Sequence, residues 1–430
     1  MPQSDMKAKL CFFPAALAVL MLGPAVQAGE LGDLLQAALL HPQARAAASQ
    51  VEAARAQKDA ATGRYFGSAA LSAGWHNYEG QRVVGVYTPG TSGAPLISDR
   101  IGQAGLAYSL PVDLFGVIAA NRERAQHDLN AAELLARQQT LLKLHQTASS
   151  YLTLQALLKQ REALVLYRQR IEATHSRIRK ELELGKTAGV DARYAESELA
   201  RLVADEAVLD GALIQAQADL QEASSREKFL PTRADIPVPA WEDAIPDATL
   251  PARVAQARSE AARAQADESR RALLPLLSLD ANYFRNVGGG DTRDTWAMGG
   301  VVSLPLGVTQ YRQADAQRLN ARAAAEQSEA AARDSARQLA NLRASYDVAA
   351  ADALAVEKEV AYREQVAAVQ REMQRLGSQT LENLFQHERN LLDARYRLAQ
   401  AQARAGATWS AAQVLTGLPT ENYIARMDAK

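Results

Sequence analysis

The chain has 430 residues, of which 48% are hydrophobic and 23% are charged, proportions that indicate a folded protein rather than a disordered one. Lys and Arg total 48 and Asp and Glu total 49, so the formal net charge is −1. A chain without a basic excess has no field to hold nucleic acid, and we therefore expect no nucleic-acid partner.

The first 28 residues read as a secretory signal peptide. Lys7 and Lys9 precede an apolar run that ends near Pro24, and Ala28 closes the small-x-small pattern that a signal peptidase cuts. The only cysteine, Cys11, lies inside this segment, so we expect no disulfide in the exported chain. No later stretch has the ~20 apolar residues of a spanning helix, so a membrane crossing would need strands.

The sequence repeats itself in the same order of short blocks. Segment 52–57 recurs at 260–265, segment 109–111 at 303–305, and segment 184–185 at 376–377. These matches predict two structural repeats, residues 29–229 and 251–430. Five prolines between 231 and 251 predict a connector at 230–250 that no continuous helix can cross.

Each repeat contains a long segment free of glycine and proline, which predicts a helix of roughly 100 Å. A glycine ends each segment and predicts a helix reversal. Leu384, Leu391 and Leu398 lie seven apart, a spacing typical of a helix-packing seam. The predicted helices span about 117–184, 188–228, 308–376 and 380–415.

Four short segments alternate between apolar and polar residues, which is typical of strands in a membrane barrel. The predicted strands span about 68–78, 101–111, 276–285 and 295–305, with polar, glycine-rich hairpin loops at 79–100 and 286–293. Four strands cannot close a barrel, and an open edge in lipid leaves backbone groups unpaired. We therefore expect several copies to share one barrel, eight strands from two copies or twelve from three.

The segments 35–42, with its His-Pro ending, and 109–116, which ends in Asp-Leu-Phe-Gly, make the chain resemble the TolC-like outer-membrane efflux protein family, the outer-membrane factors of tripartite pumps. The Asp-Leu-Phe-Gly block is most similar to channels that serve RND-type drug exporters. The resemblance implies a mixed, mainly α fold: long antiparallel helices forming a periplasmic α-barrel, plus a transmembrane β-barrel with four strands per subunit and twelve per trimer.

The resemblance also implies a function and partners. The protein would be a trimeric channel in outer-membrane lipid that extends into the periplasm and acts as a passive exit duct. Its partners would be a periplasmic adaptor (membrane fusion protein) and an inner-membrane pump such as an RND or ABC transporter. No cofactor, metal or catalytic residue is implied.

The two helix reversals are the candidate sites. The residues expected at the adaptor-docking tips are Leu184, Gly185, Lys186, Thr187, Leu376, Gly377 and Ser378. The residues expected at the tunnel entrance are Arg375, Gln379, Glu382, Asn383 and Gln386. The family often has acidic residues where this chain has Asn383 and Gln386, so a strong cation-selective ring is not expected here.

Two other classes are compatible with parts of the sequence. A periplasmic coiled-coil adaptor or scaffold would explain the signal and the helices, but it leaves the alternating strands and the duplication without a role. A periplasmic enzyme would need a site. The six histidines show no pair with i, i+4 metal-ligand spacing, and Gly288-Gly289-Gly290-Asp291 lacks the lysine of a phosphate-binding loop and reads as a hairpin turn.

Overall fold

A computed structural model describes residues 29–85, 95–226, 229–232, 235–241 and 248–429; the predicted signal peptide and Cys11 lie outside these ranges. The described chain is mainly helical, with one four-stranded sheet, as predicted. Its helices are α1 (Glu30–Leu39), α2 (Pro42–Gly63), α3 (Val117–Glu183), α4 (Gly189–Ser224), α5 (Leu250–Arg271), α6 (Val308–Arg375), α7 (Leu381–Thr416) and α8 (Thr420–Asp428). Its strands are β1 (Ser68–Val84), β2 (Leu96–Val112), β3 (Leu276–Gly288) and β4 (Asp291–Ser303).

The sheet has the order β1-β2-β3-β4, and all three pairings are antiparallel. β2 and β3 join the two repeats, because β2 belongs to the first and β3 to the second. The two outer strands, β1 and β4, each have one neighbouring strand among the described residues. One long edge of each outer strand is therefore open in a single chain.

The hairpins differ from the expected loops because the strands continue further. β1 runs to Val84 and β2 begins at Leu96, with a register shift between Asn77 and Arg82, so the first loop is much shorter than 79–100. β3 and β4 meet at Gly289 and Gly290, which have φ of +60° and +87°. Two consecutive positive φ angles are typical of the type I′ turn that closes two-residue hairpins. The segment 286–293, predicted as a loop, is therefore strand on both sides of a tight turn.

The repeat appears in the strand register. Ser68 pairs with Ser109 in the first hairpin, and Leu276 pairs with Ser303 in the second. The offsets from the sequence, 208 residues for β1 to β3 and 194 for β2 to β4, convert the first pair into the second. Under these offsets the two hairpins share one register, as two copies of one unit would.

The long helices form two antiparallel pairs, α3 with α4 and α6 with α7, and α3 also packs on α7 and α5. The core lies midway along the bundle, where α1 and α8 cover α3 and α7. Trp409 and Tyr423 are fully buried there, with ring centroids 5.8 Å apart. The connector is hydrogen-bonded to the long helices. Tyr346 of α6 donates to the Pro239 carbonyl at 2.8 Å, and Gln155 of α3 donates to the Asp235 carbonyl at 2.8 Å.

Candidate channel site: helix tips and sheet faces

The first tip is a compact helix reversal. Gly185 has φ of +70°, and its N–H donates to the Leu182 carbonyl at 2.9 Å while the Lys186 N–H donates to the Glu181 carbonyl at 2.8 Å. This pair of bonds is the Schellman motif, which satisfies the last carbonyl groups of a helix. Thr187 donates to the Asp191 carboxylate at 3.0 Å and holds the start of α4. Leu184 is left exposed at the end of the molecule.

The second tip repeats this design. Gly377 has φ of +75°, its N–H donates to the Gln374 carbonyl at 3.1 Å, and the Ser378 N–H donates to the Met373 carbonyl at 2.9 Å. Thr380 caps α7 by accepting from the Asn383 N–H at 3.3 Å. Leu376 is exposed, as Leu184 is at the first tip. Both tips therefore present a leucine and a glycine on a rigid turn.

The residues predicted for the entrance are gathered on one short stretch of the second tip. Gln379 donates to Gln370 at 2.7 Å and accepts from Asn383 at 3.1 Å. Arg375 donates to Glu372 at 2.6 Å. Glu382 lies in the first turn of α7, where a negative charge suits the helix dipole, and Gln386 donates to Asn390 at 3.0 Å. The side chains of this stretch are mainly neutral amides.

A buried carboxylate above the second tip was not among the predicted site residues. Glu388 on α7 is 2% exposed, and its Oε2 accepts from Arg170 of α3 at 2.8 Å. Its Oε1 lies 3.0 Å from Arg371 Nε of α6, whose N–H donates to the Ala367 carbonyl, so this second contact is mainly Coulombic. One carboxylate thus joins three helices and both repeats. The sequence signal was a charge within the apolar seam of Leu384 and Leu391.

A second charged cluster ties α7 to α4. Arg389 lies 3.3 Å from Glu198 and 3.1 Å from Asp205. Tyr167 of α3 donates to the same Glu198 at 3.4 Å. Burial and the Glu198 carboxylate raise the pKa of the Tyr167 phenol, so it stays protonated and keeps donating. The two tips of one chain are therefore linked by charge as well as by packing.

The sheet has one apolar and one polar face. Leu71, Leu106, Tyr283 and Trp296 are consecutive cross-strand partners, so they lie in one row on the same face. All four are exposed in the single chain, and Met298 on that face is 76% exposed. The opposite face carries the row Ser72, Gly105, Phe284 and Thr295 and the neighbouring row Gly74, Gln103, Asn286 and Arg293.

The polar face is hydrogen-bonded near its hairpin end. Gln103 donates to Asn286 at 3.0 Å, and Asn286 donates to the Arg293 carbonyl at 3.1 Å and to Thr295 at 3.2 Å. An exposed apolar face opposite a satisfied polar face is the arrangement of a strand with lipid on one side and water on the other. None of the helices in the described ranges is long and apolar enough to cross a membrane.

In the described ranges, no group of three or more His, Cys, Asp or Glu residues could hold a metal ion. His145 donates to or accepts from Ser410 at 2.8 Å in the core. His127 faces Glu260 at 3.2 Å between α3 and α5. These histidines join helices.

The fold and its two sites define a class of protein: a channel subunit that combines long periplasmic helices with a few membrane strands. Residues 34–225 match the model of the outer membrane efflux protein family. This part of the chain is similar to that family, which consists of outer-membrane transport ducts and not of enzymes. No curated protein matches the chain by sequence.

Solved structures show the same fold over nearly the whole chain. The outer membrane protein VceC from Vibrio cholerae is 20% identical, with a TM-score of 0.73 and coverage of 90% of this chain and 96% of that one. The outer-membrane channel OprN is 19% identical, with a TM-score of 0.76 and coverage of 91% and 90%. The MtrE outer membrane channel of Neisseria gonorrhoeae is 18% identical, with a TM-score of 0.73 and coverage of 90% and 88%. These matches confirm the predicted fold class and give no support to the adaptor alternative.

Proposed function

We propose that the protein is the trimeric exit duct of a tripartite efflux or secretion system, a passive conduit from the periplasm to the exterior. One observation carries the proposal: a four-stranded sheet with an apolar outer face and two open edges is continuous with helices of roughly 100 Å. The sheet suits the lipid, and the helices have the length to reach deep into the periplasm.

The unpaired backbone groups at the edges of the sheet require several copies of the chain. Lipid offers no hydrogen-bond partners, so the free edges of β1 and β4 need partner strands. Three copies supply twelve strands, a number within the known range for closed membrane barrels. Lining the barrel with the face of Gln103 and Asn286 then gives a polar lumen.

The two tips are the proposed docking surface for a periplasmic adaptor. Leu184, Gly185, Lys186 and Thr187 form one contact, and Leu376, Gly377 and Ser378 form the other. Exposed leucines on turns locked by Schellman hydrogen bonds offer apolar contacts at little cost in ordering. The adaptor would connect the duct to an inner-membrane pump, which supplies the energy.

The proposed entrance is ringed by Arg375, Gln379, Glu382, Asn383 and Gln386. Three copies would present each side chain three times, so a single substitution changes a ring. The amides of Gln379 and Asn383 carry no charge, and the hydrogen bond between them orders this part of the ring.

Purification from outer membranes tests the proposal. We expect a detergent-stable trimer by light scattering and discrete conductance steps when it is added to a planar lipid bilayer. A pair of variants that each remove one exposed leucine, Leu184→Asp and Leu376→Asp, should keep the trimer and the conductance but abolish transport by the assembled pump. A mature protein found as a soluble monomer in periplasmic extract would refute the proposal.

A further inference from the structure

Gly29, directly before α1, contacts the last residue of α8. Its backbone N–H donates a hydrogen bond to the carboxylate of Asp428. A Cβ built on Gly29 would lie 2.6 and 2.8 Å from the two oxygens of that carboxylate. Side-chain atoms do not approach a neighbour so closely, so the backbone of residue 29 can reach Asp428 in this way only as glycine.

The core holds both partners of this contact in place. The Gly29 carbonyl accepts from the Asp33 N–H at 3.0 Å and so begins α1, and Leu31 of the same turn is fully buried. In α8 the residue before Asp428 is Met427, which is also fully buried. The contact therefore joins two segments that packing has already ordered, and it needs little further loss of conformational entropy.

Glu30 ties the same end of α1 to the connector and to α3. Its carboxylate accepts from the Thr232 N–H at 2.9 Å, and the Tyr151 hydroxyl donates to it at 3.4 Å. Two consecutive residues, Gly29 and Glu30, thus reach three separate parts of the chain. The backbone nitrogen of Gly29 is therefore fixed beside Asp428 by contacts on both sides of it.

The predicted signal-peptidase cut falls directly before this nitrogen, between Ala28 and Gly29. Hydrolysis breaks the bond between the Ala28 carbonyl carbon and the Gly29 nitrogen, and water supplies a hydroxyl group to the carbon and a hydrogen atom to the nitrogen. The new carboxyl group then releases a proton and the new amine takes one up, because an α-amino group usually has a pKa of about 7.7–8.0. Gly29 then begins with an ammonium group.

We infer that removal of the signal peptide creates the binding partner of Asp428: the new ammonium group of Gly29 forms an ion pair with this carboxylate and fastens α1 to α8. In the uncut chain the same nitrogen is an uncharged amide with one hydrogen atom. In the cut chain it has a positive charge and three hydrogen atoms, and charge-assisted hydrogen bonds are roughly twice as strong as neutral ones. This pairing depends on the predicted cleavage and not on the proposed trimer.

The charges around Gly29 suit an ammonium group. A positive charge at the N-terminus of a helix opposes the helix dipole and lowers stability unless carboxylates offset it. Glu30 and Asp33 lie in the first turn of α1, which contains no lysine or arginine, and Asp428 approaches from α8. The site thus provides negative charge from two helices where cleavage would place a positive one.

The identity of the first residue is the first test. The protein is purified from outer membranes, and its intact mass and N-terminal sequence are measured. We expect the chain to begin at Gly29. Any other first residue overturns the inference and leaves the proposed duct unaffected, since the duct is tested by conductance.

The reactivity of the α-amine is the second test. The reagent 2-pyridinecarboxaldehyde reacts with an uncharged N-terminal amine, and mass spectrometry of the N-terminal peptide gives the rate. A neighbouring carboxylate favours the charged form, so the wild-type trimer should react slowly. Asp428→Asn keeps the shape of the side chain without its charge and should raise the rate about twofold to fivefold, the size of an exposed ion pair.

Asp33→Asn is the matched control, because it removes a carboxylate from the same turn of α1 and should change the rate much less. Unfolded in guanidinium chloride, all three proteins should react at one rate. Equal rates in the folded wild type and Asp428→Asn, or equal increases in the two variants, overturn the inference. If Asp428→Asn does not assemble, the wild type alone decides: a folded rate that is not lower than the unfolded rate also overturns it.

Discussion

Glu388 joins three helices through one carboxylate. Its buried carboxylate faces Arg170 of the first repeat and Arg371 of the second. Removing one member of a buried ion pair leaves the charge of its partner without compensation. The loss of stability then exceeds the net stabilisation that the intact pair provides. Both arginines are partly exposed, so water reduces that cost here.

We expect Glu388→Gln to destabilise the helix tips by about 1–3 kcal/mol, because two guanidinium groups then face a neutral amide. The variant trimer should unfold at a lower temperature in detergent and show a larger or noisier conductance. Glu372→Gln removes a carboxylate of an exposed i, i+3 pair with Arg375 and is the control, with an effect below about 0.5 kcal/mol. Equal effects of the two variants would contradict a special role for Glu388.

His145 gives the core a dependence on pH. Burial lowers the pKa of its imidazole, which contacts Ser410. The folded state therefore binds this proton less readily than the unfolded state, whose pKa is about 6.5. Above that pH, proton binding by His145 does not affect the free energy of unfolding. As the pH drops below it, the free energy of unfolding falls. Thermal unfolding between pH 7.5 and 5 should show a smaller decrease for His145→Gln than for the wild type; identical slopes would exclude this contribution.

At the scale of the elements, both reversals depend on glycine for backbone reasons alone. Gly377 has φ of +75°, and no atom lies within 4 Å of a Cβ built there. Gly377→Ala should therefore cost about 1 kcal/mol through left-handed backbone strain, and Gly377→Asn should cost less. Gly189→Ala, at an equally open helical position in α4, should be neutral or stabilising. Calorimetry of the detergent-solubilised trimers measures the order of the four proteins.

The two faces of the sheet predict opposite responses to charge. Met298 lies on the exposed apolar face and Ala297 on the polar face, one residue away. Met298→Arg should cost about 2–4 kcal/mol if it lies near the middle of the bilayer, whereas Ala297→Arg places its charge in water. We expect far less assembled trimer in outer membranes for Met298→Arg only. Equal assembly of both variants would mean that this face does not meet lipid.

Helix ends could be predicted from the sequence more accurately than strand ends. The long helices were predictable to within a residue or two at most ends, because the glycine- and proline-free segments and the capping glycines Gly185 and Gly377 act locally. The strand ends were not, since polar residues such as Arg82 and Asn286 are held by cross-strand pairing and not by local preference. The shorter helices α1, α2, α5 and α8 were not predicted, although α2 and α5 carry the repeated segments 52–57 and 260–265. The charge of Glu388 within the apolar seam could be seen in the sequence, but its partners Arg170 and Arg371 lie on other helices, and no local pattern shows them.

At the scale of the whole molecule, a ring of identical side chains would set the electrostatics of the duct. The entrance stretch is mostly amide, with Gln379 and Asn383 bonded to each other. Charges along the helices are largely paired with neighbours, as Arg389 is with Glu198 and Asp205. At the level of Gln379 and Asn383 the proposed passage carries no charge, so this level would pass ions with little preference and selection of cargo would lie with the pump.

Charge introduced at that ring should therefore create a preference that the wild type lacks. Asn383→Asp adds three negative charges to a trimer at one level of the passage, and a carboxylate ring attracts cations. In a planar bilayer under a KCl gradient, the reversal potential of Asn383→Asp should shift toward the cation potential relative to the wild type. Asn383→Gln keeps the ring neutral and should not shift it. An unchanged reversal potential in Asn383→Asp would mean that this residue does not line the narrow part of the passage, since a charge there cannot be screened completely at the low end of the gradient.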